Sequence, residues 1–445
     1  MSTGSTQELT RGNLSHHLVR LAVPLVFGNI LQEFYNTIDA FVVGRFAGQE
    51  EFAAIGVAGT VMNLFLFALV GCCTGFSVLF ARAYGHNDPD ELHRQEVSAL
   101  TVGLACTGVL MLAGLAGMRP LLALLQTPDA LRGYVSAYLR WIFASLPAAF
   151  LYNLFAALLR SSGDTQAALL VLAAAVGANL VLDFVFVAGL SGGIEGAALA
   201  TALTQVFSAL VCYAYLRRTH RELLLRRADC RLEPARLRTA LKFGLVSSLH
   251  QCSLYLGKLF VQGAVNTAGT EVIAAYTAGT RIEGFANSIG SSGSTATSIL
   301  TAQNYGAART DRVEGTFRCS LRGLAGFGVL SGLVMFLTAP RAIALLLGSN
   351  TGPAFAAAVA YLRFVSLFYL FCFTGNTFTG YFSGTGKVLL PFAGALGHIS
   401  IRVLLSWVLF PRLGLNAVAL ATGLGWVCGN LFWGGCKFRL ARHND

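Results

Sequence analysis

The chain has 445 residues, of which 55% are hydrophobic and only 12% are charged, and its mean hydropathy is +0.63. Soluble domains carry about 25% charged residues, so this composition excludes a soluble globular protein and predicts an all-α, polytopic membrane protein. The net charge of +11 would suit nucleic acid, but the arginine-rich middle of the chain has no interleaved aromatic residues. We therefore expect no nucleic-acid partner.

Twelve apolar segments in succession predict twelve transmembrane helices, six in each half of the chain. In the first half we predict helices at 17–44, 51–83, 94–118, 130–160, 166–190 and 195–217. In the second half we predict them at 240–267, 272–304, 314–339, 353–384, 388–411 and 416–438. This pattern predicts an N-lobe at 1–217, a polar loop at 218–239 and a C-lobe at 240–445.

The first helix contains Pro24. Proline removes a backbone hydrogen bond and permits a bend, so we predict a hinge at this position. The polar residues 1–10 before the helix contain no signal-peptide core, so we expect the helix to be an uncleaved span.

Polar side chains form stripes on three helices of the first half. They are Gln32, Asn36 and Asp39 on the first helix, Asn179 and Asp183 on the fifth, and Thr201, Gln205 and Ser208 on the sixth. An aspartate at the centre of a membrane helix costs about 2.5–3.5 kcal/mol on insertion scales, so it is rare without a use. The stripes are most readily satisfied by facing one another.

The two acids, Asp39 and Asp183, are the candidates for an ion site in that cluster. Carboxylate, amide and hydroxyl oxygens are the ligands of a hard cation, so the site suits Na⁺ or a proton. Two acids close together should titrate as a pair. The structural alternative is an acid that pairs with an arginine inside the bundle, but Arg140 and Arg160 lie toward the ends of their helices.

Arginine and lysine residues concentrate in alternate loops, most of all at 218–239. This positive-inside pattern places the Arg-rich loop and both termini in the cytoplasm. We expect a multi-pass protein of the cell (inner) membrane.

The second half of the chain repeats the first. Residues 81–85 recur as 302–306, an offset of 221 residues. Because each repeat has an even number of helices, both halves enter and leave the membrane on the same side, and the repeats are parallel.

The repeats differ in their acids. Carried across at 221 residues, Asp39 falls on Phe260 and Asp183 falls on Leu404. A duplicated membrane scaffold with ionisable groups in one half indicates a dedicated ion site in one lobe.

The second half has a different set of polar residues inside its helices, namely His250, Lys258, Arg281, Glu283, His398 and Arg402. A buried basic group there could attract an anionic part of a substrate, or it could be a structural partner of Glu283. The sequence leaves both interpretations open.

Further polar residues are candidates for a substrate cavity, namely Gln32, Asn36, Tyr138, Asn153 and Gln205. The motifs G-x-S-x-G, H-E-x-x-H and the P-loop are missing from the sequence, so we expect neither an enzyme nor a direct user of ATP.

Several stretches occur together with this repeat. They are Pro24 and Asp39, residues 160–165, Asn179 and Asp183, residues 196–201, residues 274–276 and residues 303–306. In these stretches, and over nearly its whole length, the chain resembles the multidrug and toxic compound extrusion (MATE) family. The resemblance implies two six-helix lobes in a V, a central cavity, and export of organic cations or amphiphiles against inward H⁺ or Na⁺.

The family's prokaryotic branch with an N-lobe cation site matches at Asp39, Asn179, Asp183 and Thr201, and its first helix bends at the position of Pro24. Another branch carries a glutamate in the seventh helix, but here residues 244–253 contain no acid. The resemblance therefore supports a cation site in the N-lobe and argues against one in the C-lobe.

We thus expect an antiporter that exports cationic or amphiphilic drugs and metabolites by alternating access, with no cofactor beyond the coupling ion. Its partners should be a small-molecule substrate and membrane lipid, and we expect a monomer. The main alternative is a flippase of a lipid-linked or amphiphilic substrate, with basic residues of the C-lobe on a phosphate. An intramembrane enzyme, a scaffold or a receptor is a weaker alternative.

Overall fold

The computed structural model describes residues 9–225 and 232–442, without the side chains of residues 36, 37, 39, 40 and 124. Almost all of this described part is helical, and it contains no strand. The α-helices are α1 (Leu14–Phe46), α2 (Gln49–Gly85), α3 (Pro89–Ala116), α4 (Met118–Leu124), α5 (Asp129–Ser161), α6 (Thr165–Asp183), α7 (Gly193–Thr219), α8 (Pro234–Asn266), α9 (Thr270–Gly306), α10 (Thr310–Leu347), α11 (Pro353–Ser366), α12 (Tyr369–Gly384), α13 (Leu389–Leu413) and α14 (Leu415–Arg442). A π-helical turn at Phe184–Gly189 extends α6, and a 3₁₀ turn at Arg221–Leu223 follows α7.

Most of these helices are long and apolar enough to cross a membrane. Within the described residues nine pass that test singly, and a tenth span results if α11 and α12 are taken together. The remaining two long helices, α8 and α9, have 33 and 37 residues but carry polar and charged side chains along their length. Each predicted transmembrane segment is thus present as a helix, and the all-α polytopic fold is confirmed.

The prediction of one continuous helix at 353–384 is wrong. α11 ends at Ser366, α12 begins at Tyr369, and the two are bent by 51°. Leu367 and Phe368 donate to carbonyl groups three residues earlier, at 3.3 and 3.0 Å, which is the tighter 3₁₀ pattern. The apolar pattern continues through this bend, so hydropathy does not show it.

The chain forms two compact units whose limits fall inside helices. Unit 1 is the described part of Pro24–Ser248, and unit 2 is Leu9–Val23 with the described part of Leu249–Asp445. The sequence placed the division in the loop 218–239. In the structure the first third of α1 belongs to unit 2, and the first part of α8 belongs to unit 1.

Within unit 1, a close approach of helix backbones explains why the start of α8 belongs there. A Cβ atom built on Gly71 of α2 would lie 2.7 Å from the carbonyl oxygen of Ser247. Arg236, at the start of α8, donates to Glu91 of α3 at 2.7 Å. Small residues let membrane helices approach closely, and here they join α2 to α8.

Within unit 2, a single arginine holds the residues before α1. The Arg312 guanidinium of α10 donates to the backbone carbonyl groups of Leu9, Arg11 and Gly12 at 3.1, 3.3 and 2.9 Å. It also donates to Asn304 Oδ1 at 2.8 Å, and Asn304 Nδ2 donates to the Leu9 carbonyl at 3.4 Å. We call this set of contacts the Arg312 clamp.

A polar cluster closes unit 1 where α6 begins and α7 ends. Asp164 caps α6 by accepting from the Ala167 amide at 3.0 Å, and it also accepts from Tyr215 at 3.0 Å and His220 Nε2 at 3.1 Å. Burial alone would raise the pKa of Asp164, but the hydrogen bonds from His220, Ala167 and Tyr215 together lower it. The hydrogen bond to Asp164 raises the pKa of His220 above its ordinary value, although burial opposes this.

His220→Gln is expected to destabilise the protein mainly at acidic pH. A raised folded-state pKa means that the stabilisation is fully present below the unfolded value of about 6.5. It is lost as the pH rises through the folded-state pKa. The melting temperature of the detergent-solubilised variant should therefore fall most, relative to wild type, below about pH 6.5, and the difference should shrink under alkaline conditions. His86→Gln, at an exposed histidine of the same unit, is the control. A difference that does not change with pH would contradict this assignment.

Candidate functional site

Two polar residues of α6 are almost completely buried in unit 1. Asn179 and Asp183 are each 1% exposed. They lie four residues apart, on one face of the helix, and α6 packs against α7. The apolar residues of α6 outnumber the polar ones, so this stripe turns into the bundle.

The helix changes its geometry directly after Asp183. The π-helical turn Phe184–Gly189 follows, and the Gly192 amide donates to the Phe186 carbonyl at 2.8 Å. π-helical turns are rare and are frequent at functional sites, because the wider turn re-aims neighbouring side chains. Asp183 is therefore the last residue of regular α-helix before the irregular segment.

Thr201 of α7 is the third predicted site residue with a described side chain, and it is 7% exposed. Tyr35 Oη of α1 lies 3.5 Å from Thr201 Oγ1, a long contact in which either hydroxyl can donate. Glu51 of α2 accepts from the Ile194 amide at 2.5 Å and so caps the start of α7. Sequence reasoning missed Tyr35 and Glu51, which are 166 and 143 residues away from these partners.

The second half of α1 packs into the same region. Val42 and Val43 form a buried core with Val187 and Ala197, and Ile38 packs against it. The side chains of Asp39 and Asn36 lie outside the described residues. The backbone of Asp39 is nevertheless next to Ile38, whose packing partners belong to the π-helical turn and to α7.

Other polar groups in unit 1 bear on this site. Asn179 Nδ2 is buried and has no hydrogen-bond acceptor among the described groups, so a carboxylate or a ligand oxygen would satisfy it. Arg160, the candidate structural partner for an acid, interacts with Tyr152, Cys73 and Cys212. These contacts place its charge at the end of α5.

The cavity candidates occupy different environments. Gln32 is exposed and Gln205 is half-buried. Asn153 donates to the Ala149 carbonyl of its own helix at 2.8 Å. Tyr138 is 2% exposed and donates to Met62 Sδ at 3.6 Å, so its ring lies in the core of unit 1.

The chemistry available at the site is that of oxygen ligands. Asp183 supplies a carboxylate, Asn179 an amide oxygen and Thr201 a hydroxyl, which suit a proton or a hard monovalent cation. In the described part of the chain no three His, Cys, Asp or Glu side chains lie together as a metal site. The arrangement can bind and release a small cation inside an apolar bundle.

Comparison with known proteins places this arrangement in a family. The MatE family model matches the chain twice, at residues 24–185 and 247–408. The chain is 25% identical to the probable multidrug resistance protein YpnP of Bacillus subtilis, covering 94% of each chain. It is 26% identical to the probable multidrug resistance protein YoeA of the same organism, covering 71% of this chain and 70% of YoeA. The solved structure of a multidrug resistance MATE family transporter in an outward-facing conformation superposes with a TM-score of 0.90, at 24% identity and 99% coverage of both chains.

A duplicated multi-pass helical bundle with buried oxygen ligands in one repeat defines a membrane transporter and not an enzyme. The chain belongs to the MatE family.

The two family matches correct the residue correspondence between the repeats. Both matches start and end 223 residues apart, so Asp183 corresponds to Ser406 and not to Leu404. Burial agrees, because Ser406 is 0% exposed and Leu404 is 64% exposed. At the same spacing Asp39 corresponds to Gln262 and not to Phe260. The offset of 221 misplaced both residues because the spacing of the repeats varies by two along the chain, but neither corrected position is acidic.

Proposed function

We propose that the protein is a secondary active antiporter that exports organic cations or amphiphilic drugs and metabolites in exchange for H⁺ or Na⁺. The observation that carries this proposal is the burial of Asp183 and Asn179 in the first repeat, at 1% exposure each, where the second repeat has Ser406 in place of the acid. The relatives YpnP and YoeA, described as probable multidrug resistance proteins, support the same direction.

The proposed cycle uses the charge of the buried acids. When H⁺ or Na⁺ enters from outside, it neutralises the Asp39 and Asp183 pair, with Asn179 and Thr201 as further oxygen ligands. Neutralisation removes the cost of an anion in the apolar bundle and changes how α1 and α6 pack. Release of the ion to the cytoplasm restores the charge and resets the transporter.

The hinge proposed at Pro24 has support in the division of the chain. Unit 2 ends at Val23 within α1 and unit 1 begins at Pro24. Proline at this point lacks the amide hydrogen bond that would stiffen the helix. A bend there would let one part of α1 respond to the ion site while the other part stays with unit 2. We place the protein in the cell (inner) membrane with both termini in the cytoplasm, which the positive-inside pattern supports.

Flux measurements in proteoliposomes test this function. Purified protein is reconstituted, and movement of ethidium, a lipophilic cation, is followed with pH and sodium gradients imposed separately. We expect at least one gradient to drive ethidium uphill, and the gradient that does so identifies the coupling ion. Protein-free liposomes under the same gradients are the control. Folded protein that moves no ethidium under either gradient would contradict the proposal.

A further inference from the structure

Unit 2 contains a buried polar cluster that the proposed ion site does not use. Its centre is Glu283 of α9, which is 5% exposed. Tyr361 of α11 donates to Glu283 Oε1 at 2.5 Å, and Tyr369 of α12 donates to Oε2 at 3.3 Å. Tyr276 packs edge-to-face on Tyr361 with ring centroids 5.6 Å apart. Both carboxylate oxygens are therefore held by hydroxyl donors.

Two basic residues adjoin this carboxylate. The charges of Arg402 on α13 and Lys258 on α8 both act on Glu283, and Arg402 also hydrogen-bonds Tyr276. The three charged groups carry one net positive charge. A cation would be repelled from such a cluster, whereas an anion would be attracted.

The cluster lies deep in its helices. Arg402 is roughly 17 Å from the end of α13 at Leu413, and Glu283 is roughly 20 Å from the start of α9 at Thr270, at about 1.5 Å per residue. Ionisable groups at such depth are costly and are retained for function or for pairing. Pairing with Glu283 accounts for one of the two cations.

The remaining features point to a ligand. Lys258 is exposed although it belongs to a membrane helix, so the cluster opens at the surface of unit 2. Arg402 Nε is buried and has no hydrogen-bond acceptor among the described groups. A purely structural network would explain the tyrosines and the Arg402–Glu283 interaction, but it leaves the exposed cation and the unused N–H group without a role.

We propose that this cluster is a binding subsite for an anionic oxygen group, a carboxylate or a phosphate, of an amphiphilic substrate, with Lys258 and Arg402 as the contacting groups. This inference rests on the proposed export function and narrows its substrates to amphiphiles that carry an acidic group. Glu283 and its tyrosines hold Arg402 in place, and the anionic group of the ligand balances the second positive charge.

Ligand binding tests the subsite directly. Purified protein in phosphatidylcholine nanodiscs is titrated with a rhodamine carboxylic acid and with its methyl ester, which differ by one anionic group. Lys258→Gln should weaken binding of the acid about tenfold, the effect of losing one charge-assisted hydrogen bond, and should leave binding of the ester unchanged. Lys258→Arg, which keeps the charge, should retain binding of the acid.

Arg281→Gln is the matched control, because it removes one exposed positive charge from α9, two residues from Glu283 and on another face. Equal losses for acid and ester, no loss for either, or a wild-type protein that binds only the ester would overturn the inference. Phosphatidylglycerol added to the nanodiscs identifies the source of the anion. Competition with the acid assigns the subsite to a lipid headgroup, and lack of competition assigns it to a soluble amphiphile. No gradient is needed here, so failure of export in proteoliposomes is a separate result.

Discussion

Asp183→Asn is expected to reduce gradient-driven ethidium export to the leak rate of protein-free liposomes, with little loss of stability. The amide has nearly the same shape as the carboxylate but cannot take up and release a proton, and it gives a cation no compensating charge. Asp183 is 1% exposed, so replacing its charge with a neutral group also removes a desolvation cost. Flux under the driving gradient and melting temperature in detergent are the two measurements.

The control for this prediction is Glu96→Gln. Glu96 is a second buried acid of unit 1, 2% exposed, on α3, and it belongs to none of the three polar stripes. This variant should keep most of the wild-type flux, whereas Asp39→Asn should behave like Asp183→Asn. Full export by Asp183→Asn would remove the proposed coupling mechanism.

Arg312→Ala is expected to release the start of α1 from unit 2 and to impair export. The substitution removes four hydrogen bonds donated by a charged group, three of them to the backbone of residues 9–12. Hydrogen bonds to charged groups contribute about 1.5–3 kcal/mol each when buried, and Arg312 is half-buried, so we expect a net loss of about 2 kcal/mol. Such a loss increases the open fraction of this segment by more than about tenfold.

Limited trypsinolysis measures this release. Arg11 and Arg20 are the cleavable sites of the clamped segment, and cleavage after them should accelerate by about tenfold or more in Arg312→Ala. Arg322→Ala, at an exposed arginine of the same helix, should leave the rate unchanged. Wild-type protection of Arg11 in Arg312→Ala would show that other contacts hold the segment.

The Arg312 clamp also bears on the proposed hinge. It retains residues 9–12 in unit 2, while α1 from Pro24 onward belongs to unit 1. A helix anchored in this way can respond to ion binding near Asp39 only by bending between the two parts. Loss of export in Arg312→Ala with intact ligand binding would support this role.

Much of the candidate site could be predicted from the sequence. Asn179 and Asp183 share a face because an α-helix has 3.6 residues per turn, and charge in an apolar helix turns inward because lipid cannot solvate it. Their contacts could not be predicted in this way. Tyr35 meets Thr201 across 166 residues, and such a contact depends on the rotation and depth of two separate helices.

The C-lobe residues show the same limit from the other side. The sequence left Glu283 between a structural and a functional role, because its nearest charged neighbour, Arg281, lies on another face. The structure brings Glu283 to Tyr361 and Tyr369, 78 and 86 residues away. Those tyrosines have no polar periodicity of their own, so no sequence pattern marks them as partners.

The sequence by itself determined the membrane class, the helical segments, the duplication and the confinement of the paired acids to one repeat. These properties follow from hydropathy and from helical periodicity, which act within one helix at a time. Only the tertiary structure decided that α1 and α8 each belong to two units, that the tenth predicted helix is bent, and that Arg312 holds the chain before α1. The physical reason is that these features depend on packing between helices distant in sequence, where close backbone approach and individual hydrogen bonds outweigh local preference.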